Sequence, residues 1–370
     1  MTKRQIICLA CTAVVVASGL GAAAPSAHAA THVVRPGESI QKAVDAAKSG
    51  DTIFIAPGTY RESVLVTKSN LTLRGAGRTT VLKPAATTAT ATATAATTVP
   101  AAGRSAAVNA CASAGNGICV TGTADKDVGN VTIRSLTLSG YKKNGIWATE
   151  TDRLTVRNVT SEKNGTWGIA QQQSTRAVFR DNIARDNGDA GIFIANTVER
   201  EGGAVDTKKA VIAGNRMSGN RIGATIRRVR NLTVHSNDMT ANCAGVFVVG
   251  DESEPGAGDM TIRANKIYKN NKSCPATNRL PAIQGSGIVL TGAETTTVRN
   301  NLILDNVGVS PLSGGVVLFQ SFVGASNDDN EIRNNRVRGN SPYDLVNKGT
   351  GTGNQFVGNS CQVSEPTGMC

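Results

Sequence analysis

An all-β parallel solenoid is the fold class that this 370-residue sequence predicts. Three observations predict it. A six-residue word that begins and ends in Asn occurs as NIARDN (182–187), NRMSGN (215–220), NDMTAN (237–242), NKIYKN (265–270), NLILDN (301–306) and NRVRGN (335–340), with an apolar residue third. A short alternating strand precedes each word, as in AVFR (177–180), AVIA (210–213), LTVH (232–235), MTIR (260–263), TTVR (296–299) and NEIR (330–333); VTIR (131–134) and LTVR (154–157) belong to the same series. A Gly-led strand follows most words, as in GIFI (191–194), GATI (223–226), GVFV (245–248), GIVL (287–290) and GVVL (315–318).

The words start 33, 22, 28, 36 and 34 residues apart, so a unit of about 22 residues carries insertions of varied length. Each unit reads as about three short strands separated by Asn- and Gly-rich turns. One unit cannot bury its apolar side, but units stacked ~4.8 Å apart can. The 40 glycines and the aromatic content of only 4% suit thin repeated layers better than a core of large rings.

The elements follow in order. Residues 1–29 read as a secretory leader: basic MTKR, an apolar run from Ile6 to Ala24, and AHA as the cleavage signal, with cleavage after Ala29. Residues 30–83 hold a cap and the first coil. There Ser39 is a helix N-cap, Ile40, Ala43, Val44 and Ala47 share one face, and Gly50 stops the helix. Residues 84–104 are a low-complexity Ala/Thr loop, and 105–370 hold the repeats and a C-terminal cap. No later run approaches the ~20 apolar residues of a membrane span. The product is expected to be exported, soluble and monomeric.

Cys8 and Cys11 leave with the leader. Cys111, Cys119, Cys243, Cys274, Cys361 and Cys370 remain, an even number in an exported chain, and proximity favours pairing 111–119, 243–274 and 361–370. No C-x-x-C occurs after the leader, and His32 and His235 are the only imidazoles there, so no metal site is assigned. The chain is formally +12; loss of Lys3 and Arg4 leaves +10. Such a protein suits a polysaccharide or other anionic polymer as partner. Nucleic acid is not expected.

The coil length, the Asn-x-Ile turns and the segment 35–77, which includes PGTYRE (57–62), resemble the right-handed parallel β-helix, or pectin-lyase-like, superfamily over nearly all of residues 31–370. The resemblance implies roughly nine to eleven coils and an N-terminal helix over the open end. It also implies that Asn182, Asn215, Asn237, Asn265, Asn301 and Asn335 stack coil on coil as a hydrogen-bonded ladder, with Asn tolerating the left-handed turn geometry. In that superfamily carboxylates can hold calcium against a uronate, Lys or Arg can abstract a proton, or two carboxylates can hydrolyse a glycoside. Its catalytic signatures are missing here: NTV (196–198) lacks the Asp of N-T-D, and G-H-G, D-P-H-D and R-x-P-x-x-R do not occur.

Alternation places side chains. The fourth strand position points Arg134, Arg157, Arg180, His235, Arg263, Arg299 and Arg333 outward, with Ala213 as a gap, so a row of cations runs one per layer. Solvated surface charge is the plainer account of that row; an anionic ligand is the functional one. The Gly-led strands point Trp147, Phe193 and Phe247 outward, a stripe on which sugar rings could stack unless the insertions fold over it. The insertions 198–209 and 250–259 bring Glu199, Glu201, Asp251 and Glu252 toward Arg227 and Arg228, the first place to look for catalysis. The function expected is binding, with lyase or hydrolase action as the catalytic form, of an anionic polysaccharide, calcium being the one cofactor considered. The alternatives are a non-catalytic cell-wall module and an accessory protein similar to NosD.

Overall fold

The computed structural model describes residues 29–86, 109–198, 202–278 and 280–370. Most of the leader and most of the Ala/Thr stretch fall outside them, as do Glu199 and Glu201. The chain winds through three parallel sheets, A, B and C, of 13, 10 and 11 strands. One coil runs from Ile146–Thr149 in sheet C to Thr155–Arg157 in sheet A and Thr160–Glu162 in sheet B, and returns to sheet C at Ile169–Gln172. Ile146 then stands directly beside Ile169. Strands this short close a coil in 23 residues because left-handed single residues, such as Arg153 and Asn158, turn the chain between sheets.

The interior is one continuous apolar column. Ile133, Val156, Phe179, Ile212 and Val234 follow one another in sheet A, and Met217, Met239 and Ile267 in sheet B, all fully buried. Each such side chain is worth about 1.5–3 kcal/mol relative to exposure. No single coil supplies the facing surface, so this gain exists only in the stack.

The Asn word supplies the polar half of the core. Asn182, Asn215, Asn237, Asn265, Asn301, Asn335 and Asn359 form a ladder between sheets A and B, with amide-to-amide bonds of 2.9–3.0 Å. The sixth residue of the word builds a second ladder between sheets B and C: Asn164, Asn187, Asn220, Asn242, Asn270, Asn306 and Asn340, ending on Asp344, at 2.9–3.1 Å. Asn215 donates to Asn237 Oδ1 and to the Phe179 carbonyl, both at 2.9 Å. Its own oxygen accepts the backbone and side-chain N–H of Asn182 at 3.0 Å. The left-handed residues are those just before the ladder positions, among them Asp181, Asp186, Gly214, Ser236 and Ala241, and not the Asn residues themselves. The Asn is selected for its amide, not for its tolerance of that conformation.

At the amino end a helix, Ile40–Ala46, is capped by Ser39 and ends at Ala47, before Gly50. The Glu62 carboxylate accepts the N–H groups of Ile40 and Gln41, and the Gln41 side chain pairs with Leu65 N and O, filling hydrogen-bond positions of the terminal strand of sheet C. Asp51 accepts Ala30 N, Lys48 N and His32 Nε2, each at 2.8 Å. The three pairings favoured by proximity are the ones present: Cys111–Cys119, Cys243–Cys274 and Cys361–Cys370.

Two outcomes follow. Replacing Asn215 by Ala leaves several buried groups unmet and costs roughly 3–5 kcal/mol, read as a lower urea midpoint with ligand binding retained by the folded fraction. The His32 bond, then the two backbone bonds, hold the Asp51 carboxyl at about 2, below its ordinary 3.8. Its folded value is the lower one, so its stabilisation is complete above about pH 4 and is lost as pH falls toward about 2. Urea midpoints across that range should fall less steeply for Asp51→Asn than for the parent chain.

Candidate functional site

Sheet C carries the most developed surface. Its outward column runs in register through Trp147, Ala170, Phe193, Thr225, Phe247, Val289 and Val317. The stripe is not uniformly open. Between Tyr268 and Ser286 the chain leaves sheet B and folds back over the column, so Phe247, Val289 and Val317 are fully buried with Ile283 and Leu312. Arg221 and the Cys243–Cys274 bridge hold this insertion down: the guanidinium donates to the carbonyls of Pro275 at 2.7 Å and Pro281 at 3.3 Å.

Where the cover stops, a cleft of about 640 Å³ opens. Its floor is Phe193, Thr225 and Phe247; Trp167 and Asp189 stand at one end, Leu280 and Asn278 along the insertion side, and Ser321, Phe322 and Val323 on the opposite lip. Trp167 stacks on Phe193 with ring centroids 4.1 Å apart, and Trp147 lies 5.7 Å beyond it. Asn144, whose side chain donates to Asn116 Oδ1 at 2.9 Å, holds this platform from below: its Oδ1 accepts the backbone N–H of Trp167 at 3.1 Å. Thr225 is 7% exposed, and its hydroxyl has no hydrogen-bond partner among the described residues.

Asp189 is the titratable group at the cleft end. It accepts the indole N–H of Trp167 at 2.9 Å. Burial pushes its carboxyl up, opposed by the Trp167 bond and by Arg221. Burial pulls Arg221 down, with Asp189 opposing.

Of the expected catalytic cluster, Arg227, Arg228, Asp251 and Glu252 are among the described residues. Arg227 points outward and lines the cleft. Arg228 adopts φ 51°, which breaks the alternation, and turns into a buried ion pair with Asp251. Glu252 is exposed. The insertions are also shorter than the sequence suggests. Val205–Ala213 and Ala257–Arg263 are long strands of sheet A that carry Asp206 and Asp259 with them. Asp259 there meets Arg230 at 2.9 Å, and Glu294 joins at 3.1 Å. No group of three or more His, Cys, Asp or Glu suited to a metal occurs among the described residues. Sequence reading missed Asp189, Trp167 and Arg221, and placed Thr225 on the outward column without a role. Asp189 and Arg221 each stand two residues before the Gly of a Gly-led strand, a position with a signal that could have found them.

The cation row lies on sheet A. Arg74, Arg134, Arg157 and Arg180 follow in register, then Ala213, His235, Arg263, Arg299 and Arg333. It shares no residue with the cleft.

Three stacked sheets of parallel strands, an apolar column and two Asn ladders define a right-handed parallel β-helix. The family model described as "Right handed beta helix region" matches residues 103–202, 196–321 and 255–365, and the chain belongs to that family. No curated protein matches it. Among solved structures it is similar to the A-module of an Azotobacter vinelandii mannuronan C-5 epimerase, at 19% identity and TM-score 0.55, covering 88% of this chain and 90% of that one. An alginate lyase from a Paenibacillus species is similar at 16% identity and TM-score 0.55, covering 89% and 97%. DFA-IIIase from Arthrobacter chlorophenolicus is similar at 15% identity and TM-score 0.55, covering 85% and 75%. These likenesses are of fold.

Arg221→Ala should free the insertion at a cost of about 2–4 kcal/mol. The check is limited proteolysis: cleavage within 271–285 should become faster while the circular dichroism of the sheets stays unchanged.

Proposed function

We propose that this is an exported carbohydrate-binding β-helix whose saccharide ligand lies in the sheet C cleft. One observation carries the reading: the floor sets an unpartnered Thr225 hydroxyl between Phe193 and Phe247, at the foot of the Trp167–Phe193 stack. Sugars combine an apolar ring face, which stacks on aromatics, with hydroxyls that need partners. Phe322, 52% exposed on the lip, supplies a further ring. Three disulfides suit an oxidising compartment. The similar epimerase and lyase are named for mannuronan and alginate, which supports a carbohydrate ligand.

Binding is favoured over hydrolysis. Glycoside hydrolysis ordinarily uses two carboxyl groups across the bond. Here Asp189 stands at the cleft end, while Asp251 is taken up by Arg228. Asp189 is the residue on which a catalytic reading rests, because it is the carboxyl in the cleft and burial pushes it up.

The test is a panel of uronate and neutral oligosaccharides, with calcium added or chelated. Binding is read by calorimetry, and turnover by reducing ends and the ultraviolet absorbance of unsaturated products. Trp167→Ala and Thr225→Val should each weaken oligosaccharide binding by roughly tenfold with little change in melting. Binding indifferent to both would remove the cleft as the site. Turnover abolished by Asp189→Asn would make the protein an enzyme.

A further inference from the structure

The sheet A row stands apart from the cleft and has the properties of a site in its own right. Its members occupy one outward column, so guanidinium groups recur at the layer rise of ~4.8 Å. Like charges that close repel, and the row shows it. After burial, Arg157 and Arg74 pull Arg134 down, and Arg263 and Arg180 depress His235. Carboxylates relieve little of this: Asp181 meets Arg180 at 3.2 Å and Glu331 meets Arg333 at 2.8 Å, both at the surface, and no ion pair engages Arg134, Arg157, Arg263 or Arg299 among the described residues. At the Ala213 layer, where the row lapses, Arg216 stands exposed just across the corner in sheet B. A surface needing only solubility would intersperse signs. Beside the cations runs a column in which Thr132, Thr155, Thr233, Thr261 and Thr297, half-buried and facing the same way, are interrupted by Val178 and Val211 and followed by Glu331.

We propose that this face binds a linear acidic polysaccharide of the polyuronate class, laid along the solenoid axis. A sugar ring is comparable in length to the ~4.8 Å layer rise, and neighbouring residues of an extended chain turn their carboxylates to opposite sides, so every second carboxylate meets every second layer. Guanidinium groups grip carboxylates in a fork, and the Thr column offers hydroxyls to the ring oxygens. From Arg134 onward the two columns carry no Phe, Tyr or Trp, and His235 is their one ring on which a base could stack, which disfavours single-stranded nucleic acid. The proposal is independent of the cleft reading, because the two surfaces share no residue.

The experiment uses the full chain without its leader on immobilised polygalacturonate, with dextran as neutral polymer and poly(glycerol phosphate) and duplex DNA as phosphate polymers. The expected result is salt-sensitive retention on polygalacturonate. Arg157→Gln with Arg180→Gln, and separately Arg263→Gln with Arg299→Gln, should each weaken it by roughly tenfold and flatten its salt dependence. Arg157→Lys with Arg180→Lys, which keeps charge, should retain most of it and covers the case in which the Gln variants fail to fold. Lys42→Gln with Lys48→Gln, exposed cations on and beside the terminal helix and outside both surfaces, should leave it unchanged. Wild-type affinity in both sheet A Gln pairs, an equal loss in the Lys42→Gln, Lys48→Gln control, or preference for either phosphate polymer over polygalacturonate would each overturn the proposal.

Discussion

The amide-to-amide hydrogen bond between Asn residues of successive coils is the interaction on which the rest of the molecule depends. Sheet B strands in the repeats are mostly three residues long, such as Arg216–Ser218 and Asp238–Thr240, and so short a ladder of backbone bonds fixes register weakly. A primary amide carries two donors and an acceptor oxygen with two lone pairs, and a ladder Asn inside the run, such as Asn215, uses them all. A coil that slipped by one residue would break both ladders and turn the inner column outward. Because the amides forbid that slip, side chains from four coils, Trp167, Phe193, Thr225 and Phe247, can form one floor.

The same constraint explains what was legible in the sequence. Architecture recurs, so it shows as a word: the strands, the outward columns and the ladder through Asn215 were all readable by counting. The second ladder was equally present, since the closing Asn of each word, such as Asn220, is as buried as the opening one. It went unread because one stacked Asn per turn already accounted for the word. Alternation failed at Arg228, where one left-handed residue reverses the direction of a side chain. The acids at Asp206 and Asp259 looked like loop residues, but strand pairing with neighbouring coils drew them into sheet A.

The cleft was less legible because its residues do not repeat. Asp189, Arg221 and Cys243 occupy equivalent positions before successive Gly-led strands, yet one accepts an indole N–H, one clamps an insertion and one makes a disulfide. A position that the fold leaves unconstrained is free to differ in every coil, and its role depends on what the insertion beside it does. The covered part of sheet C illustrates the point: the outward column there is apolar because Ile283 and Leu312 lie upon it, and the opening toward Phe193 exists because that cover ends.

The closed coil also bears on how such a surface changes in size. Each layer brings its own two amides, its own inner apolar residues and, in most layers, its own outward cation. Duplicating a unit of about 22 residues therefore adds a layer that is already satisfied on both faces. It lengthens the charged row by one step and leaves the spacing untouched. The reach of that face is counted in whole coils, so the valency toward a long ligand would evolve by copy number, while the chemistry of the cleft would evolve by substitution.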